Sequence, residues 1–160
     1  MKKPIIFLLL AIFCLSCKED EAPVVILNGD YVNTVKSETE QLTEMTFMRF
    51  RSNGDLTVSY YRQVVPEGGN CLNTVRKGTY RIVGDEFTFT VLETLRPDPA
   101  AFDLNGECLT TAQLVNLQGS DPILLKGTLK QSDSKLNFDL TYNCEPQNYC
   151  PELSFNQVIE

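Results

Sequence analysis

Beyond residue 26 the chain alternates apolar and polar side chains with a period of two, the pattern of strands that bury one face. Leu27-Asn28-Gly29-Asp30-Tyr31-Val32 opens the first predicted strand. Residues 43–51 (TEMTFMRFR) place Thr46, Met48 and Phe50 on one face and Met45, Phe47 and Arg49 on the other. Ser52-Asn53-Gly54-Asp55 then supplies an Asn-Gly turn, the strongest short-range hairpin signal. Residues 56–62 (LTVSYYR) return from it, with Leu56, Val58 and Tyr60 alternating against Thr57, Ser59 and Tyr61. A second hairpin is predicted over 77–83 and 86–95 around Gly84-Asp85, and a third over 123–130 and 136–142 around Ser132-Asp133-Ser134. Residues 153–159 read as a terminal strand.

Two stretches break the alternation. A polar loop at 66–70 lies within a long loop at 62–76, and Arg96-Pro97-Asp98-Pro99 is expected to leave the sheet, because proline removes a ladder donor and restricts the residue before it. Residues 96–108 therefore form a long connection, and 109–117 suit a short helix or a strand equally. Eight or nine strands joined mostly to sequence neighbours imply an all-β, antiparallel meander. An up-and-down barrel removes both sheet edges at this length, and a two-layer β-sandwich is the alternative.

The first residues follow a different logic. Lys2 and Lys3 precede a nine-residue apolar run at 5–13 (IIFLLLAIF), and the chain turns polar after Cys14-Leu15-Ser16-Cys17. This is the layout of a secretory signal peptide. The run falls well short of the roughly 20 residues that a permanent membrane helix needs, so residues 1–16 are expected to be removed. Leu15-Ser16-Cys17 resembles the lipobox of bacterial lipoproteins, with Cys14 where that family usually carries leucine. The resemblance implies acylation at Cys17, and two or more acyl chains suffice for stable attachment. An ordinary cleaved signal with an incidental cysteine is the plainer reading. Lys18-Glu19-Asp20-Glu21 resembles the export signal that follows the lipidated cysteine in Bacteroidota-type lipoproteins. It implies the outer face of the outer membrane, with the periplasmic face as the alternative. Residues 17–26 would then be a tether, and 27–160 one domain.

Composition narrows the partners. The full chain has 14 basic and 21 acidic residues, and losing Lys2 and Lys3 makes the mature chain more acidic still. That balance disfavours nucleic acid, whose binding rests on Lys and Arg. Four cysteines lie beyond Cys17, at Cys71, Cys108, Cys144 and Cys150, an even number in a chain expected to leave the reducing cytoplasm. Four cysteines allow three connectivities. Cys144 with Cys150 is favoured, because the five residues between them can fold back within bonding distance; Cys71 then pairs with Cys108. A zinc site is disfavoured by the absence of histidine and of any Cys-x-x-Cys pair, and no cofactor is expected.

Leu27-Asn28-Gly29-Asp30-Tyr31, the Asn53-Gly54 hairpin, and Gly78-Thr79-Tyr80-Arg81-Ile82 before Phe87-Thr88-Phe89 together resemble the lipocalin-like domains of small envelope lipoproteins. Tyr31 stands where that family usually has tryptophan, and the resemblance covers about residues 27–92. It implies a barrel able to hold a small apolar ligand. Met48, Phe50, Tyr60, Phe87 and Phe89 either line such a pocket or plug it, and plugging is the favoured outcome. Catalysis is not expected: without histidine the usual base for a nucleophile is missing. Asp98, Asp103 and Glu107 read as solvated loop charges rather than a carboxylate pair. Two functions remain, a ligand-binding barrel and a surface interaction module whose loops 62–76 and 96–108 carry an exposed apolar patch.

Overall fold

The computed structural model describes residues 22–37, 42–63, 71–98, 108, 111–144 and 150–159. Within them lie ten strands: β1 (Val24–Val25), β2 (Gly29–Ser37), β3 (Leu42–Phe50), β4 (Asp55–Gln63), β5 (Cys71–Val83), β6 (Glu86–Pro97), β7 (Leu114–Asn116), β8 (Ile123–Gln131), β9 (Asn137–Tyr142) and β10 (Leu153–Gln157). Eight of them, β2-β3-β4-β5-β6-β8-β9-β10, follow one another around a closed antiparallel barrel, and β10 returns to pair with β2. The architecture is therefore the expected up-and-down barrel and not a sandwich. The two short strands extend lanes that their neighbours leave early. β1 pairs with β5 at Val83 and Ile82, past the start of β4, and β7 pairs with β6 at 95–97, past the start of β8.

Several boundaries differ from the periodicity reading. β5 begins at Cys71, so 71–76 belongs to the sheet and not to a loop. β6 continues to Pro97, which faces Leu114 of β7 at the strand's last position, where a missing N–H costs little. The undecided segment 109–117 contains both elements, a 3-10 turn at Thr111–Gln113 and then β7. Two bulges also escape a period-two reading. Asn73 is the extra residue where Tyr60 faces Thr74 and Tyr61 faces Leu72. Leu92 is the extra residue where Gly78 faces Val91 and Lys77 faces Glu93. Gly78 admits no side chain, since a Cβ there would collide with the Thr90 carbonyl oxygen across the β5–β6 pair.

The barrel has two unlike ends. At one, the β3–β4, β5–β6 and β8–β9 connections are tight turns, Gly54 at φ +89° completing the expected Asn53-Gly54 turn. At the other, the long connections and both disulfides gather. Cys71 joins Cys108 and Cys144 joins Cys150, with Cα–Cα distances of 4.6 and 6.1 Å, the pairing expected from the sequence.

Aromatic side chains fill the lower barrel. Phe50 meets Tyr31, Tyr80 and Phe138 edge-on, at ring-centroid distances of 5.7, 4.9 and 5.8 Å, and Phe138 stacks on Phe155 at 4.9 Å. Met48, Phe89, Val91 and Leu140 are fully buried above them. Leu27 seals the tight-turn end. The Tyr80 hydroxyl accepts from the Leu27 N–H at 3.0 Å and donates to the Leu27 carbonyl at 2.6 Å, satisfying both backbone groups of a buried residue 53 positions away. Tyr80→Phe removes that partner while keeping the ring. It should cost about 1–3 kcal/mol, the penalty for orphaning buried polar groups, read as a lowered urea midpoint at unchanged m-value.

Candidate functional site

The sequence-predicted interior residues divide sharply. Met48, Phe50, Phe87 and Phe89 lie in the core with at most 1% of their surface exposed, so they plug the barrel. Tyr60 alone among the five stands higher, partly buried, where the packing ends. Above it the barrel opens into a recess of about 270 Å³ on the β3–β4–β5 wall.

Register explains which side chains share this recess. Thr46 faces Tyr60, Tyr60 faces Thr74, and Arg76 faces the buried core residue Val58, so all four point inward. Glu44 and Arg62 face one another at the lip, where a 4.0 Å ion pair between two well-exposed side chains adds little. Arg96 reaches the recess from β6. Three of the chain's six arginines thus converge at one place on an acidic protein.

Arg76 is the unusual member. Its Nε is buried and has no hydrogen-bond partner among the described residues. Its Nη1 lies 3.4 Å from the Tyr60 hydroxyl, a long donation, and its guanidinium carbon sits 5.5 Å from the Tyr60 ring centroid. No carboxylate among the described residues lies within ion-pair distance of it. Stacking on an aromatic face attracts a cation but leaves the edge of the guanidinium fork free to bind. Tyr142 of β9 stands nearby. Burial, then the neighbouring Tyr60, push its phenol well above the usual tyrosine range, against the opposing pull of Arg76. It therefore stays a neutral donor at any physiological pH. The recess presents the Arg76 guanidinium with Arg62 and Arg96 at its edge, the Tyr60 phenol, and the small hydroxyl side chains of Thr46 and Thr74, a set suited to an anionic group attached to a flat or apolar body.

The recess keeps its shape because the sheet beside it is mended. The bulge at Leu92 interrupts the β6 ladder, and Gln118 fills the gap. Its Nε2 donates to the Val91 carbonyl at 3.0 Å, and its Oε1 accepts from the Thr94 hydroxyl at 2.9 Å. On the far side Asn33 donates to the Ser154 carbonyl at 2.8 Å, bridging β2 to β10.

Sequence reasoning missed Arg76, because residues 62–76 read as a loop. The signal was nonetheless present: counting back by twos from Ile82 and Tyr80 through Gly78 arrives at Arg76 on the inner face. Asp98 lies at the end of β6, and Asp103, Glu107 and the acylation candidate Cys17 fall outside the described residues. No family, curated protein or solved structure matches the chain.

Proposed function

We propose that this is a lipid-anchored envelope protein whose filled barrel carries a small-ligand site at its mouth, and that the ligand bears an anionic group. The observation that carries the ligand reading is the buried Nε of Arg76, which has no hydrogen-bond partner among the described residues, in an open recess. A buried donor without a partner costs free energy, and a carboxylate, sulfonate or phosphate oxygen would supply the acceptor. The apolar part of such a ligand has no room deeper in the barrel, where Met48, Phe87 and Phe89 pack, so it would lie against Tyr60 and the lip. Attachment at Cys17 rests on the resemblance to a lipobox, with the surface-exposed outer face of the outer membrane favoured over the periplasmic face. The two disulfides agree with an oxidising compartment.

The test uses anilinonaphthalene sulfonate, which joins a flat apolar body to one anionic group. Its fluorescence should rise on binding and fall with added salt. Arg76→Met should weaken binding about tenfold or more, the usual scale for a charge-assisted hydrogen bond lost, without lowering stability. Equal binding by Arg76→Met would sink the proposal. It would instead favour a second reading, a protein-interaction face, for which one observation speaks. Leu92, Leu117, Ile123 and Leu124 are about half exposed around the β6–β7–β8 crossover, more apolar surface than an isolated side chain explains. This patch lies beside the 96–108 connection expected to carry it, of which residues 99–107 are outside the described set.

A further inference from the structure

The tight-turn end of the barrel is apolar on its outside as well as its inside. β1 alternates as a strand should, with Val25 and Leu27 turned into the domain, yet the outward positions are Val24 and Ile26, exposed at 61% and 65%. At the same end Val158 and Ile159 emerge from β10, with 42% and 78% exposure, and Leu136 sits in the β8–β9 turn. Hydrogen bonds fix these segments in place: Gly84 N–H to the Pro23 carbonyl, Val158 N–H to the Asp30 carbonyl, and Gln157 N–H to the Leu136 carbonyl. A furrow of about 200 Å³ runs between β1 and the 52–54 turn, with Val24, Ile26, Gly54 and Arg81 along it.

We infer that this end is a membrane-contact surface and that the protein stands on the lipid headgroup layer with its mouth pointing away. The inference rests on the lipid-anchor reading. Only five Cα–Cα steps, across four intervening residues, separate Cys17 from Ala22, where the described chain begins at this end. Fully extended they span no more than about 18 Å, so an anchored Cys17 holds the tight-turn end close to the bilayer. The mouth lies a nine-residue strand farther out, roughly 20–25 Å along the axis once the usual rise and barrel tilt are combined. Charges at this end are of both signs, Arg51, Arg81 and Lys135 against Asp85, Glu86 and Asp133, all exposed. The contact is therefore apolar and interfacial rather than an attraction to anionic lipid.

The chain has no tryptophan, so single reporters are clean. The mature chain from Cys17 onward, with its other cysteines in disulfides, would be coupled through Cys17 to maleimide-bearing lipid in phosphatidylcholine vesicles. Ile26→Trp and Val158→Trp report on the tight-turn end, and Ala112→Trp on the mouth side. Brominated acyl chains should quench the first two at least twofold more than Ala112→Trp, with a blue shift of their emission. Equal quenching at all three, or none at Ile26 and Val158, overturns the inference. Because the coupling is chemical, this outcome does not depend on acylation in the native host. Mass spectrometry of native Cys17 decides that separately, an unmodified residue removing the anchor reading alone.

Discussion

Replacing Phe50 with alanine should destabilise the protein by about 3–5 kcal/mol, the range for removing a large aromatic from a packed core. Phe50 is fully buried and is the one side chain in edge contact with rings from β2, β5 and β9 together. Its removal deletes apolar burial and three aromatic pairings, each contributing about 0.5–1.5 kcal/mol beyond area. The surrounding rings cannot collapse into the space, because Tyr80 is held by its hydrogen bonds to Leu27 and Phe138 by its stack on Phe155. Urea denaturation followed by tyrosine fluorescence measures the effect. A loss under 1 kcal/mol would mean that the core is loosely packed. Phe50→Leu, which refills part of the volume, should recover more than half of the loss.

Opening the Cys71–Cys108 bridge by paired serine substitution should cost about 4 kcal/mol, and opening Cys144–Cys150 only about 2 kcal/mol. The contrast comes from the unfolded chain, whose freedom each cross-link restricts in proportion to the logarithm of the loop it closes. The separations are 37 and 6 residues. Both bridges sit at the mouth, so the longer one also ties the β6–β8 crossover to the start of β5 beside the recess. Chemical denaturation of the two variants in non-reducing buffer gives both losses. Equal losses would show that local geometry, not loop closure, sets the contribution. The larger loss should also come with weaker binding of the sulfonate probe, since Thr74 and Arg76 lie just beyond Cys71 on the same strand.

The mouth, and not the interior, is the candidate site because side chains occupy the interior. Eight strands enclose just enough space for side chains or for one small ligand. Here phenylalanine on β3, β6, β9 and β10 takes that space. Apart from Gln131 and Gln157 at the tight-turn rim, the polar residues described on the inner face gather where the strands approach the long loops, at Asn33, Thr46, Tyr60, Thr74, Arg76 and Thr94. The division between an oily floor and a polar rim is thus written along each strand, yet it becomes visible only when neighbouring strands are set in register.

What the sequence determined by itself is local. Alternation fixed the strand faces, so Met48, Phe50, Leu56, Val58, Phe87 and Phe89 could be placed inside before any pairing was known. Asn53-Gly54 and Gly84-Asp85 fixed two turns, because few residues adopt those backbone angles, and short connections made the sheet an antiparallel meander. Cysteine spacing allowed the two bridges. Tertiary structure decided what depends on contacts between distant residues. It extended β5 back to Cys71, inserted the bulges at Asn73 and Leu92, and closed β10 onto β2. A bulge shifts the inward set by one residue and has no signature in a single strand, since it is defined by two residues facing one on a partner. The inward position of Arg76 follows from plain alternation once β5 is known to reach back past it, and the lack of a partner for its Nε among the described residues depends on everything packed around it. A one-dimensional pattern records which side chains face inward; only packing records which of them remain unsatisfied.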